Sequence, residues 1–214
     1  MFHSNLDKKN FSMKQKILGL CASCGNYSLA DLSKELNTSI PTITKVVGEL
    51  IDDGFLMDMG KIDTNGGRRP SIFGLNPSAG YLVGINERNN GVSIAVTDFK
   101  GELIANNDSL DITIEPTEES FRNLNAAVKK YLNDNNIAQS KVLAYGINLS
   151  GRVNKDTGTC FNYNIGDDVP VMEMLEKSGF DAPVYLENDS RAMTYGEYIY
   201  SPESKGQDML FLNV

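Results

Sequence analysis

The hydrophobic pattern of this chain changes period near residue 80, and this change limits the folds open to it. Before residue 80, apolar residues recur every three or four positions in short segments, which is typical of helices packed on one face. After residue 80, apolar and polar residues mostly alternate, which is typical of strands. The 214 residues are enough for one or two domains. We therefore predict two domains, one over residues 12–76 and one over residues 78–214.

Cysteine use and hydropathy indicate the compartment. No apolar run reaches the length of a membrane span, and the polar N-terminus lacks the apolar stretch of a signal peptide. Cys21, Cys24 and Cys160 cannot all pair within the chain, which favours a reducing cytoplasm. The first two have CxxC spacing without a second pair, and the lone His3 lies at the polar start. A zinc or redox site is therefore not expected there.

The charge is distributed unevenly along the chain. Net charge is −8, yet residues 1–80 carry nine Lys and Arg against eight Asp and Glu. Residues 81–214 carry eleven against twenty. An acidic protein with such a neutral-to-basic first part can still bind nucleic acid through a local patch.

Three helices are predicted in the first part of the chain. The first ends near Gly25, and Ser28 can cap the second. Ser39 can cap the third, with Pro41 in its first turn, where a missing N–H is harmless. We expect the third helix to bury its apolar residues, which are Ile40, Ile43, Val46, Val47, Leu50 and Ile51. Two short helices, a tight turn and a third helix form a helix-turn-helix pattern.

Polar residues at the start of the third helix are candidate DNA contacts. The outward ones are Ser39, Thr42, Thr44 and Lys45. The strand-like segments FLMDMG and PSIFGLN then flank a connector with a Gly-Gly-Arg-Arg tip, which predicts a wing carrying Arg68 and Arg69. The helical spacing alone also fits a packing module with solvated charges, or one that binds a protein partner. The wing favours DNA.

Strands and helices are predicted to follow one another after residue 80. The segments YLVGINE, GVSIAVTD and GELIANND predict a three-strand meander, and EESFRNLNAAVKKYLNDNN an amphipathic helix. Alternating strands and helices follow, over KVLAYGINLSG, VPVMEMLEKSGF, VYLEND, SRAMTYGEYIY and DMLFLNV. This order fits one lobe of a ribonuclease-H-like, actin-type fold.

The ordered motifs resemble the ROK family of sugar kinases and sugar-responsive repressors. The matching stretches are GGRRPSIFGLN, GYLVGINERNNGVSIAVTDFKGELI, YGINLSGRVNKDTGTCFNYN, LENDSRAMTYGEY and LFLNV. The resemblance implies an α+β chain: an N-terminal winged helix-turn-helix, then one α/β lobe of an actin-like fold. It also implies a sugar-responsive transcriptional regulator of the repressor branch, which binds double-stranded DNA and a sugar effector. Because helix-turn-helix proteins usually read paired half-sites, we expect a homodimer or higher oligomer.

The phosphate loop of the family's kinases is poorly matched. Such a loop needs glycines that bring backbone N–H groups close to the phosphates. The equivalent stretch, residues 86–91, keeps one glycine, begins with Asn86 and carries Glu87. An ordinary hairpin turn explains it equally well. We expect no ATP binding and no enzyme activity; the alternative is an active ROK sugar kinase with an N-terminal appendage.

Four residues match the family's sugar-contacting positions: Gly151, Asn162, Asn188 and Asp189. In the family's kinases the matching Asp accepts a proton from a sugar hydroxyl, and repressors keep the Asn-Asp pair for binding. A helix cap at Asp189, a turn glycine and a loop asparagine are the alternatives.

The resemblance implies further elements beyond Val214. These are a second lobe with a Gly-rich turn, a Glu-x-x-His pair that touches sugar, and a cysteine-rich zinc motif. We therefore expect an incomplete sugar-sensing domain here, and no cofactor in this segment.

Overall fold

The computed structural model describes residues 5–61, 70–88, 91–161, 170–201 and 207–212. The chain divides into two compact units. The first unit comprises Met1–Ala79 together with Phe99–Gly101, and the second Gly80–Asp98 together with Glu102–Val214. Within the described ranges, no helix combines the length and the apolar character that a bilayer crossing requires.

Three helices form most of the first unit: α1 (Asn5–Cys24), α2 (Leu29–Glu35) and α3 (Ile40–Asp52). The predicted cap at Ser28 is confirmed, and it forms a reciprocal capping box with Asp31. The Ser28 hydroxyl accepts from the Asp31 N–H at 3.2 Å, and the Asp31 carboxylate accepts from the Ser28 N–H at 3.1 Å.

The turn between α2 and α3 is held by local hydrogen bonds. Asn37 adopts φ +46°, in the left-handed region that asparagine tolerates better than most residues. The Ser33 hydroxyl donates to the Thr38 carbonyl at 2.6 Å, and the Thr38 hydroxyl donates to Leu36 O at 3.0 Å. This turn sets the angle between the two helices of the predicted motif.

A three-stranded antiparallel sheet completes the first unit. Its strands are β1 (Tyr27–Ser28), β2 (Leu56–Lys61) and β3 (Ser71–Leu75), in the order β1-β3-β2. The hairpin of β2 and β3 matches the predicted wing strands, whereas the two-residue β1 was not predicted. The core of this unit consists of Ile17, Cys21, Leu32, Ile43, Val46, Val47, Leu50, Leu56 and Leu75.

The prediction that α3 buries Ile40 is wrong, because this side chain is 50% exposed. Ile40 is the first residue of the helix, and helical side chains tilt toward the helix N-terminus. No helical turn precedes Ile40 to cover its side chain, whereas Ile43, three residues later, is fully buried.

The second unit is built on a mixed five-stranded sheet in the order β10-β7-β4-β5-β6. The strands β4 (Tyr81–Arg88), β5 (Gly91–Asp98) and β6 (Leu103–Leu110) form the predicted antiparallel meander. The strand β7 (Val142–Leu149) pairs parallel to β4, and β10 (Val184–Asn188) pairs parallel to β7. A small hairpin, β8 (Val153–Asn154) with β9 (Thr159–Cys160), follows β7 in the chain.

Three helices accompany this sheet: α4 (Glu118–Asp134), α5 (Val171–Lys177) and α6 (Asp189–Tyr200). One continuous core joins the sheet to α4 and α5, and its largest members are Tyr145, Phe121, Ile85, Ile94, Leu124, Leu132 and Ile147. Asn125, on the buried face of α4, donates to the Ser178 carbonyl at the end of α5 at 2.9 Å. This hydrogen bond ties the two helices together.

The predicted final strand at DMLFLNV is not formed over residues 207–212, which lack regular structure. Leu210 and Leu212 are 85% and 75% exposed. A strand is stable only when a neighbour accepts its backbone hydrogen bonds. None of the paired strands described above has this segment as its neighbour.

Candidate functional site

The start of α3 presents polar side chains to solvent in the first unit. Ser39, the N-cap, and Thr42, Thr44 and Lys45 are all exposed, as predicted. The Ser39 hydroxyl makes no capping hydrogen bond and instead lies 2.9 Å from the Thr42 hydroxyl. The Thr44 hydroxyl donates to Ile40 O at 2.9 Å. Together with the exposed Ile40, these groups form a small mixed surface at the helix N-terminus.

The opposite end of α3 is fixed to α1 by charge pairs. Lys14 lies 2.8 Å from Asp53 and 3.2 Å from Glu49, and Asn10 donates to Glu49 at 2.8 Å. The hydrogen bond to Asp53 raises the pKa of Lys14, and the hydrogen bond from Asn10 lowers the pKa of Glu49. The Lys14 cation offsets part of the negative charge at the C-terminal end of α3, and these contacts join that end to α1.

The predicted wing arginines, Arg68 and Arg69, lie outside the described residues, since β2 ends at Lys61 and the description resumes at Pro70. Cys21 is buried, and burial raises the pKa of its thiol to about 11. In the part of the chain that the structure describes, no group of His, Cys, Asp and Glu side chains could hold a metal ion.

The second unit gathers polar residues where its parallel strands end. In register, Asn86 of β4 pairs with Asn148 of β7, and Asn148 pairs with Glu187 of β10. The carboxyl ends of parallel strands are the usual place for a ligand in open α/β sheets. The side-chain oxygen of Asn86 is buried there without a hydrogen-bond partner among the described residues.

Asn188 connects the start of α6 to the loop after β7. Its amide nitrogen donates to Gly151 O at 2.8 Å and to Asp189 Oδ1 at 2.9 Å. Its amide oxygen accepts from the Arg191 N–H at 3.0 Å, which makes Asn188 the N-cap of α6. The structure therefore assigns the cap to Asn188 rather than to Asp189, and it places the predicted site residues Gly151 and Asn188 in direct contact.

Asp189 keeps one carboxylate oxygen available. Its Oδ1 accepts from the Ser190 N–H at 2.6 Å, from the Ser190 hydroxyl at 3.2 Å and from Asn188. Its Oδ2 has no hydrogen-bond partner within the described ranges. Since the residue is only half-buried, this oxygen can accept a hydrogen bond from a ligand hydroxyl.

Arg191 holds the loop that follows Gly151. Its guanidinium donates to Val153 O at 2.9 Å and pairs with Glu187 at 2.9 Å, and Glu187 also pairs with Lys155 at 2.9 Å. Burial alone would raise the pKa of Glu187, but the bonds to Lys155 and the Asn188 N–H, with the charge of Arg191, hold it below its usual range. The loop is thus held by Arg191 of α6 and by Glu187 of β10.

Two cavities border these contacts. One, of about 380 Å³, is lined by Gly151, Arg152, Val153, Asn188 and Arg191. The other, of about 800 Å³, runs along α6 and is lined by residues that include Lys155, Glu187, Arg191, Tyr195 and Tyr198. Two of the four predicted sugar-contacting residues, Gly151 and Asn188, line the smaller cavity.

Comparison with known proteins identifies the family of the chain. A sequence profile of the ROK family matches residues 83–214. The chain belongs to the ROK family. A solved ROK family transcriptional regulator, described as a homolog of E. coli MLC protein, superposes with a TM-score of 0.71 at 21% identity. The superposition covers 94% of this chain and 50% of the regulator's chain. The likeness confirms the predicted fold class.

Curated relatives of this ROK chain include repressors. "Putative xylose repressor" of Caldicellulosiruptor sp. (strain Rt8B.4) is 29% identical over 189 residues, which cover 87% of this chain and 47% of that protein. "Xylose repressor" of Caldicellulosiruptor bescii is 26% identical over 87% of this chain and 47% of its own length. The corresponding protein of Bacillus subtilis (strain 168) is 22% identical, with 87% and 48% covered. The chain thus spans about half the length of these relatives.

Two contacts of the ROK domain were not predicted from the sequence. The Glu87 carboxylate, at the end of β4, accepts from the Ser150 N–H at 2.8 Å, and Arg191 binds Val153 O. The sequence around Glu87 gives no sign of this contact, because its partner lies 63 residues further on. The predicted sugar contact Asn162 lies outside the described residues.

Proposed function

We propose that this chain is the DNA-binding and first sensing part of a sugar-responsive transcriptional repressor. The observation that carries the proposal is the pairing, in one chain, of a helix-turn-helix unit with an exposed polar helix start and a ROK domain with a sugar-sized cavity. The names of its curated relatives, which are xylose repressors, support the same function.

The N-terminal end of α3 is the proposed reading surface. In helix-turn-helix proteins the second helix of the motif enters the major groove by its N-terminal residues. The hydroxyls of Ser39 and Thr42 suit phosphates and base edges, and the Lys45 cation suits phosphates. The methyl groups of the exposed Ile40 suit apolar contact with a thymine methyl. Lys14 would keep this end in place by fixing the other end of α3.

The proposed wing contact places Arg68 and Arg69 in the neighbouring minor groove. Guanidinium groups are attracted to the negative potential of a narrow minor groove. Such repressors commonly bind as dimers to paired half-sites. The proposed regulator is therefore a homodimer that binds DNA in the cytoplasm.

The proposed effector is a neutral monosaccharide, with D-xylose as the first candidate because of the relatives' names. The cavity at Gly151 and Asn188 is large enough for one monosaccharide. Asp189 directly follows Asn188, and its Oδ2 is an acceptor without a partner in the described part of the chain, to which a sugar hydroxyl can donate.

We further propose that the domain binds sugar without phosphorylating it. Asp189 has the chemistry of a general base, which is the feature that favours the alternative of a sugar kinase. The carboxylate of Glu87, however, already occupies the Ser150 N–H at the carboxyl edge of β4 and β7. A fixed negative charge at this edge opposes the approach of a polyphosphate.

The proposal is tested by selecting DNA fragments that the chain retains and measuring their affinity by fluorescence anisotropy between 50 and 300 mM salt. Sequence-specific binding that weakens steeply with salt is expected. Binding that is absent, or equal for all fragments, would contradict it. A coupled assay of ADP release over a panel of monosaccharides separates the kinase alternative, since turnover that disappears in Asp189→Asn would favour an enzyme.

A further inference from the structure

The carboxylate of Glu87 extends the pairing of β4 and β7 beyond the last backbone pair. That last pair joins Asn86 to Asn148. Two residues later the chain leaves β7, and the N–H of Ser150 needs an acceptor outside the regular ladder. Glu87 Oε2 accepts it at 2.8 Å. A hydrogen bond to a charged acceptor of this length is stronger than one between neutral groups.

The same loop is fastened at two later points by other elements. The side chain of Asn188 binds Gly151 O, and that of Arg191 binds Val153 O. Gly151 adopts φ +112°, in the region that favours glycine, and because glycine can also adopt many other conformations, the loop backbone depends on such contacts to hold it. Both later contacts come from the start of α6, whereas the contact at Ser150 comes from the other side, from β4.

We propose that Glu87 is a positioning residue of the sugar site. It fixes the first residue of the loop Ser150–Val153 and thereby sets where Gly151 and Val153 line the cavity. The proposal rests on the proposed function, in which that cavity holds a monosaccharide. Glu87 touches the loop backbone and acts on the ligand only through it.

Two variants separate hydrogen bonding from charge at this position. Glu87→Gln keeps an oxygen at the same reach and removes the charge, whereas Glu87→Asp keeps the charge and is shorter by one methylene. If reach to the Ser150 N–H is what matters, Glu87→Gln keeps the hydrogen bond that holds the loop and Glu87→Asp loses it. A role of the negative charge alone predicts the opposite order. Glu176→Gln, an exposed residue of α5, is the matched control.

Amide hydrogen exchange measured by NMR on the 214-residue chain tests the loop directly. In Glu87→Asp the Ser150 amide is expected to exchange about tenfold faster or more, since a hydrogen bond to a charged group has a net worth of that order. Glu87→Gln, which keeps a weaker neutral hydrogen bond, should exchange more slowly than Glu87→Asp, and Glu176→Gln should match the wild type. Amides in the centre of β5 report whether each variant is folded. Equal Ser150 exchange in wild type and Glu87→Asp overturns the proposal.

Calorimetric titration with D-xylose tests the consequence for the site. The dissociation constant for D-xylose is expected to rise about fivefold or more in Glu87→Asp and by a smaller factor in Glu87→Gln. Faster exchange without any change in sugar affinity would overturn the positioning role. A wild type that does not bind D-xylose would contradict the proposed effector, and the exchange rates would still decide whether Glu87 holds the loop.

Discussion

The side-chain amide of Asn188 donates a hydrogen bond to the carbonyl of Gly151 across 2.8 Å. The same amide accepts the N–H of Arg191 and so caps α6. One residue therefore begins a helix and fixes a loop that precedes it by 37 positions. Each role uses a different atom of the amide, so substitutions can separate them.

Replacing Asn188 by Ala should lower the free energy of unfolding by about 1–3 kcal/mol, because both the cap and the half-buried loop contact are lost. Urea unfolding followed by circular dichroism measures this. Asn188→Ser retains a capping oxygen but cannot span to Gly151, so it should recover about 1 kcal/mol of the loss. Equal stability of the Ala and Ser variants would show that the cap contributes nothing.

Replacing Lys45 by Ala should weaken DNA binding to a similar extent on all sequences. A lysine that neutralises one phosphate contributes about 0.9 to the slope of log affinity against log salt, so that slope should fall by about one. Anisotropy titrations at several salt concentrations measure it. Lys141→Ala, an exposed lysine of the second unit, makes the same change in net charge and should leave the slope unaltered.

The capping box of α2 predicts a dependence of stability on pH. The Ser28 hydroxyl, and then its N–H, bind the Asp31 carboxylate and lower its pKa below the usual value. A lowered pKa in the folded state stabilises the protein above the unfolded pKa, about 3.9, and this contribution is lost as pH falls through the folded value.

Asp31→Asn should therefore be less stable than wild type at pH 7, by about 0.5 kcal/mol because the group is exposed and screened. The difference should shrink as pH falls below about 4. Thermal unfolding of both proteins between pH 7 and pH 3 measures it. A difference that is independent of pH would show that the charge of Asp31 is not responsible.

Local patterns were sufficient for much of the fold. The cap at Ser28 and the positions of α3 and of the meander strands depend on residues close in sequence, and their physical signals are local. The two-residue strand β1 was not predictable in this way. It exists only because Tyr27 pairs with Phe73, which lies far along the chain.

The candidate site was predicted by position rather than by geometry. Motif matching named Gly151 and Asn188, but it could not show that they bind each other. The contact of Glu87 with Ser150 depends on the register of β4 against β7, which alternating hydrophobicity does not specify. Similarly, the periodic pattern predicts Ile40 in the core, since apolar spacing does not show that the first residue of a helix has no preceding turn to cover it.

Sugar-dependent release of DNA is the most direct test of the central claim. Fluorescence anisotropy with a selected DNA fragment, titrated with D-xylose and then with other neutral monosaccharides, measures it. At a saturating concentration one sugar should weaken DNA binding by about tenfold, which corresponds to a coupling free energy of about 1.4 kcal/mol. Asp189→Asn should bind the DNA with wild-type affinity and lose this response. Tight DNA binding that no monosaccharide alters would contradict sugar sensing by this chain.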